Sequence, residues 1–314
     1  MTGACLVTGF LGSGKTTFLK QLVQRYRQRK VVYLVNEFSS SDVDARIVSQ
    51  TGAETVSVAG GSIFCSCKVG EFISQIHSIL ERFDLAEDPL DGIIIEASGV
   101  ADPRVIGKML KDTRLDTRVT LHSVVSIVDP GSFSKLYQTL PAVQAQVQAA
   151  DIVLVNKSDL HPPVKLTETE ALIRKIRPRA AILRTEFGQA GLDVLGESFA
   201  RELEGELAPC KDPNFQSYVI TPADNLDLIA LGQALETVKE SVFRLKGYAN
   251  STQGLARIDY SLSGLEWQPA DTSEKPGLVL IGNPDFAAEL HWLAASIRRG
   301  VFEGSTSGNT LWIS

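Results

Sequence analysis

Short apolar runs alternate with amphipathic stretches through the first two thirds of the chain. "ACLVTGF" is apolar and closes on glycine, "KTTFLKQLVQRYRQR" carries apolar residues at helical spacing, and "KVVYLVNEF" is apolar again. A strand buried on both faces reads as a continuous apolar run, whereas an amphipathic helix repeats every three to four residues, so this order predicts strand, crossover helix, strand. "KVGEFISQIHSILERF" predicts another helix, and "DGIIIEASG", "VTLHSVVSIVD" and "ADIVLVNKSD" predict further buried strands with helix between them. The pattern is that of an α/β domain with a mostly parallel sheet and helices on both faces.

The rhythm breaks at "EGELAPCKDPNF", a polar, proline-containing stretch. The expected boundaries are a first domain over 1–203, a linker over 204–214 and a second domain over 215–314. In the second part "FQSYVIT", "LARIDYSL" and "GLVLIG" read as strands, while "LDLIALGQALETVKESV" and "FAAELHWLAASIRRG" read as helices. These predict a smaller α+β domain.

Composition narrows the partners. Hydrophobic residues make up 44% and charged residues 22% of the 314, which is ample for two cores. A net charge of −6 and a pI near 5.4 give no overall attraction to nucleic acid or to an anionic membrane. With no apolar run long enough to span a bilayer and no secretory leader pattern, the expectation is a cytoplasmic protein. Four cysteines, Cys5, Cys65, Cys67 and Cys210, are too few for a disulfide scaffold, and only Cys65 and Cys67 are close in sequence.

"GFLGSGKTT" satisfies G-x-x-x-x-G-K-[ST] between an expected strand and an expected helix. Gly9, Gly12, Ser13, Gly14, Lys15, Thr16 and Thr17 are therefore candidate nucleotide ligands. Glycines let backbone amides wrap phosphates, the helix N-terminus adds a positive dipole end, Lys15 reaches the β and γ phosphates, and Thr16 binds magnesium. "VLVNKSDL" places Asn156, Lys157 and Asp159 directly after an apolar strand. A carboxylate there accepts from the guanine N1–H and exocyclic amine, which adenine cannot offer, so the expected nucleotides are GTP and GDP. "IIIEASGVADP" puts Glu96 at a strand end, where it would hold magnesium through water or orient an attacking water, and Gly99 would allow close approach to a γ-phosphate. The alternative for Glu96 is a carboxylate capping a neighbouring helix. Glu37 lies where a γ-phosphate sensor would.

The set "GFLGSGKTT", "VNEF", "GGSIFCSC", "IIIEASGVADP" and "NKSD", in this order, resembles the CobW-like GTPases of the G3E group, and "VFRLKGY", with Arg244, Lys246 and Gly247, resembles that family's C-terminal domain. The resemblance implies a slow P-loop GTPase that couples GTP binding and hydrolysis to delivery of a metal or metallocofactor to a client enzyme. On this reading Lys15, Glu96 and Glu37 form the catalytic set and the C-terminal domain selects the client, while the resemblance adds a nucleotide-driven homodimer. Two departures stand out. Family members usually carry C-x-C-C where this chain has Ser62, Ile63, Phe64 and Cys65, and N-E-F-G-E where Phe38 is followed by Ser39 and Ser40.

Residues two apart on an extended segment project to one face, so Cys65 and Cys67 could grip zinc, cobalt or another transition metal, with Glu71 or Glu37 or with the same residues of a second subunit. They supply at most half of a tetrahedral set, which argues against metal storage. The other readings are small apolar fillers beside Phe64, or a redox pair, which strain disfavours. His77, His122, His161 and His291 are scattered and read as structural. Arg244 and Lys246 either bind an acidic partner or are solvated at a strand edge. Three further functions stay open at this point: a GTP-gated chaperone for an organic or corrinoid cofactor that binds no transition metal itself, a small-molecule phosphotransferase, and a nucleotide-dependent scaffold with negligible catalysis.

Overall fold

The structure, a computed structural model, describes residues 1–37, 52–59, 62–84, 89–196, 199, 203–209 and 214–303. Phe38, Ser39 and Ser40, the glycine pair at 60 and 61, and Cys210 lie outside the described residues. The chain divides into two compact units, Met1–Lys211 and Asp212–Ser314.

The first unit is built on a seven-stranded sheet. Its strands are β1 (Thr2–Gly9), β2 (Val31–Glu37), β3 (Glu54–Ala59), β4 (Gly92–Glu96), β5 (Val119–Val128), β6 (Ile152–Val155) and β7 (Ala181–Arg184), in the order β3-β2-β4-β1-β5-β6-β7. Every pairing is parallel. The helices are α1 (Lys15–Arg25), α2 (Val69–Asp84), α3 (Val105–Asp112), α4 (Pro130–Thr139), α5 (Pro141–Ala149) and α6 (Pro163–Ile176).

Alternate residues of the central strands serve two cores. Ala4, Leu6, Val32, Leu34, Ile93 and Ile95 pack with Phe72 and Ile76 of α2, while Cys5, Val7, Tyr33, Val35 and Ile94 pack with Phe18, Leu19 and Leu22 of α1. This is why these runs show no polar alternation: both faces of each strand are covered, and each fully buried large apolar side chain contributes about 1.5–3 kcal/mol. The chain leaves β1 for β2 on one side of it and later reaches β5 on the other. That reversal is the switch point at which open α/β sheets bind ligands, at the carboxyl ends of the strands.

The stretch expected to begin the linker belongs to the first unit. A Cβ on Gly205 would lie 2.8 Å from the backbone nitrogen of Val105, so residues around 205 lie against the start of α3. Ala208 forms a parallel bridge with Cys65.

The second unit is a five-stranded sheet of β8 (Gln216–Ile220), β9 (Val242–Ser251), β10 (Gly254–Ser261), β11 (Gly264–Pro269) and β12 (Gly277–Gly282), with α7 (Leu228–Thr237) and α8 (Ala287–Arg299). The order is β11-β10-β9-β12-β8, and every pairing is antiparallel. Apolar residues of α7 and α8, among them Leu231, Leu235, Leu290 and Leu293, join Leu245, Ile258 and Leu280 in one core.

Three expectations for this unit change. α7 stops at Thr237 because the Ser241 backbone N–H and hydroxyl both turn back on the Val238 carbonyl, at 2.9 and 2.6 Å. β9, which carries Arg244 and Lys246, is the middle of the sheet and not an edge. There Arg244 is largely buried and donates to the Asp259 carboxylate of β10 at 3.0 Å. Gly247 is needed on β9: its φ is +142° and a Cβ would lie 2.0 Å from the Gly277 carbonyl oxygen.

Candidate functional site

The loop that leaves β1 uses positive φ at Gly9 (139°), Gly12 (80°) and Gly14 (110°). A Cβ at Gly9 would meet the Ile127 carbonyl oxygen at 2.4 Å, and one at Gly14 would meet Asn156 Nδ2 at 2.2 Å. Glycine is thus fixed at both ends of the loop by backbone conformation and by contact. α1 starts directly after Gly14 with no side-chain cap. Lys15 is buried, and its ammonium donates to the carbonyls of Gly9 (2.9 Å) and Phe10 (3.2 Å), which folds it over the loop. Ser13 is 2% exposed and its hydroxyl has no protein partner. A buried hydroxyl in this position, beside a buried ammonium at an uncapped helix N-terminus, fits an anionic ligand such as a phosphate chain. Thr16 and Thr17 are half-buried in the first turn of α1.

Glu96 ends β4 level with Val7 of β1 and Val35 of β2, and is 3% exposed. The turn after it is pressed on the phosphate loop, since a Cβ on Gly99 would lie 2.8 Å from the Leu11 backbone nitrogen. Gln146 holds the turn from behind by donating to the carbonyls of Gly99 and Ala101 at 3.0 and 3.3 Å. Glu37 closes β2, and its side chain lies outside the described residues.

Asn156 joins the two ends of the nucleotide site. Its amide donates to the Ser13 carbonyl at 2.9 Å, and its oxygen accepts from the Thr185 hydroxyl (3.1 Å) and the Gly188 N–H (3.0 Å). Both polar atoms of this side chain are therefore committed to protein groups, so Asn156 braces the site. Lys157 sits at φ +59°, and its ammonium lies 2.8 Å from Asp129, which His161 approaches at 3.0 Å from the other oxygen. Asp159 is exposed on a short 3-10 turn, Ser158–Leu160.

Cys65 and Cys67 come together in a turn before α2, with their sulfurs 2.6 Å apart, Cys65 buried and Cys67 exposed. They converge because Lys68 and Val69 N–H groups bend back to the Cys65 carbonyl (3.1 and 3.0 Å), and not because the segment is extended. Phe64 is buried edge-on against Phe72, so packing accounts for Phe64 and Cys65 but not for the exposed thiol. Glu71 is paired with Lys68 at 2.9 Å. The Lys68 ammonium is held above its ordinary pKa, foremost by Glu71 and also by the field of the two cysteines. Among the described residues no group of three or more His, Cys, Asp and Glu could hold a metal ion. His122 and His161 serve structural contacts, with the Leu195 carbonyl and Asp129.

One residue absent from the sequence-derived candidates connects these parts. Asn36, 6% exposed at the end of β2, accepts through Oδ1 from the N–H of Ile63 (3.0 Å) and of Ser98 (3.2 Å), and donates to the Val58 carbonyl (3.2 Å). It ties the cysteine turn to the turn after Glu96. The loop of Thr185–Gly188 and Asp129 were also missed. The signal for that loop is a second polar turn, "TEFG", after a short apolar run.

The family model of the CobW/HypB/UreG nucleotide-binding domain matches residues 4–184. The chain belongs to this family. Its CobW-like relatives include a protein named zinc chaperone CobW from Sinorhizobium sp, 27% identical over 292 residues, which covers 79% of this chain and 81% of that one. The protein named zinc chaperone YjiA from Escherichia coli K12 is 29% identical over 212 residues, 67% of this chain and 65% of its own length, just under two thirds. The crystal structure of Zn(II)-bound YjiA GTPase from E. coli aligns over 95% of this chain and 99% of that one, with 20% identity and a TM-score of 0.49.

Proposed function

We propose that this chain is a GTPase of the metallochaperone kind, which binds GTP at the β1 loop and relays the nucleotide state to Cys65 and Cys67 for delivery of a transition metal to a client enzyme. The observation that carries the reading is the Asn36 carboxamide, whose one oxygen holds both the turn after Glu96 and the turn of the two cysteines. A γ-phosphate that draws the Ser98–Gly99 turn toward the phosphate loop also loads the hydrogen bond to Ile63, two residues before Cys65. The names of the relatives, zinc chaperones, make zinc the favoured cargo.

Lys15 and the loop amides stabilise charge that develops on the phosphoryl oxygens. Thr16 and Glu96 offer oxygen donors of the kind magnesium prefers and would hold it, the ion supplying charge neutralisation when bound. The alternative role for Glu96, which is buried at the end of β4, is to orient the attacking water. Hydrolysis is expected to be slow, as the resemblance to the CobW-like GTPases implies. Two thiols fill half of a tetrahedral zinc shell, which suits an ion that is handed on, since the remaining positions are left to the ligands of the client.

Asp159 supplies the guanine preference. Calorimetry on the full chain should find GDP bound at least about a hundredfold more tightly than ADP, and Asp159→Asn should remove most of that ratio while the fold is retained, because a site built to accept two base hydrogen bonds rejects a base that lacks them. Equal affinity for GDP and ADP in the wild type would overturn the assignment and favour a phosphotransferase.

A further inference from the structure

Asp159 can meet only the edge of a base, whereas most of a purine's surface is its two flat faces. We infer that Phe187 is a shelf on which the purine ring of the nucleotide stacks, a deepening that rests on the nucleotide-site reading above.

Phe187 belongs to the loop after β7, and three hydrogen bonds fix that loop beside the base-reading turn. The Ser158 N–H donates to the Thr185 carbonyl at 3.1 Å, and the Thr185 hydroxyl and Gly188 N–H both donate to Asn156 Oδ1. On its other side the loop lies against α1: a Cβ on Gly188 would be 2.9 Å from Phe18 Cα and 3.0 Å from Phe18 N. Phe187 is thus held between the turn that carries Lys157 and Asp159 and the helix that starts at the phosphate loop.

Its backbone is the second observation. Phe187 has φ +50° and Gly188 φ +68°, two consecutive left-handed residues. Glycine adopts that conformation freely, but a residue with a bulky side chain does so only when the surroundings impose it, and such residues gather at ligand sites. Phe187 is 63% exposed, while Phe18, Phe64 and Phe72 are fully buried. A single exposed phenylalanine on relaxed backbone needs no explanation. Here folding rewards neither the ring's position nor its conformation, and a flat ligand beside it would reward both, since base and ring stack face to face.

Stacking is tolerant of base identity, because every base has a π face, so Phe187 supplies affinity and Asp159 supplies choice. The test is calorimetric titration of the full chain with GDP and with inosine diphosphate, which keeps the ring but lacks the exocyclic amine. Phe187→Ala should weaken both by about tenfold, leaving their ratio unchanged. Phe187→Trp should restore affinity, and its indole emission should be quenched as GDP binds. Asp159→Asn should instead lower the ratio. An unchanged GDP affinity in Phe187→Ala, with a wild-type melting temperature, would overturn the shelf. A wild type that binds neither nucleotide would overturn the nucleotide reading itself, a different outcome.

Discussion

Asn36 and Asn156 are buried amides whose partners are distant in sequence, and each joins segments that the sheet only brings near one another. Truncating Asn36 removes its hydrogen bonds to the Ile63 and Ser98 N–H groups and the Val58 carbonyl, at about 1–3 kcal/mol for each group left unpaired. Asn36→Ala should therefore lower the melting temperature, and it should bind GTP while zinc affinity no longer responds to the nucleotide. Asn36→Asp keeps the acceptor for both N–H groups and should keep the response, as a chelator competition assay would read. The phosphate-loop residues were legible because their chemistry is local: a fixed spacing of glycines, lysine and threonine between strand and helix. Asn36 was not, because its role is defined by Ile63 and Ser98, residues 27 and 62 positions away. Asp129 escaped notice for the same reason, its partners Lys157 and His161 lying on another loop.

At the level of elements, β1, β2, β4 and β6 were readable because both faces are covered and each carries a run of apolar residues. β11 was not anticipated as a strand, since it is mostly exposed, and β9 was read as an edge because it carries Arg244 and Lys246 in mid-run. The end of α1 is fixed by a contact that no local pattern shows. The Tyr26 hydroxyl donates to Asp193 at 2.8 Å and accepts from the Val194 N–H at 2.8 Å, which anchors the segment after β7 to the helix. Burial, and then the hydrogen bond to Asp193, push the Tyr26 phenol up to about 12. The native state thus favours the neutral phenol, so this contribution is complete below an unfolded pKa of about 10 and is lost as pH rises toward 12. Denaturant titrations should show stability falling between pH 10 and 12, and Tyr26→Phe should be less stable at pH 7 with a shallower alkaline decline. An equal slope in the two proteins would remove Tyr26 from the account.

Across the whole molecule, the first unit holds a nucleotide site at the switch point of its sheet, and the cysteine turn is joined to the same carboxyl edge through Asn36. The second unit is built on an antiparallel sheet. Among the described residues no helix is long and apolar enough to cross a membrane. The α/β pattern and the phosphate loop were visible in sequence, but the meeting of Cys65 and Cys67 in a turn was not, because it depends on hydrogen bonds to the Cys65 carbonyl and on pairing with Ala208. The central claim is that nucleotide and metal are linked, and linkage is reciprocal: whatever factor GTP applies to zinc affinity, zinc must apply to GTP affinity. The most direct measurement is zinc affinity by chelator competition, with and without a non-hydrolysable GTP analogue and magnesium, paired with analogue affinity with and without zinc. The account predicts the same shift in both directions, about tenfold or more for a coupling near 1.4 kcal/mol, and its loss in Cys65→Ser/Cys67→Ser. Affinities that ignore one another in the wild type would contradict it.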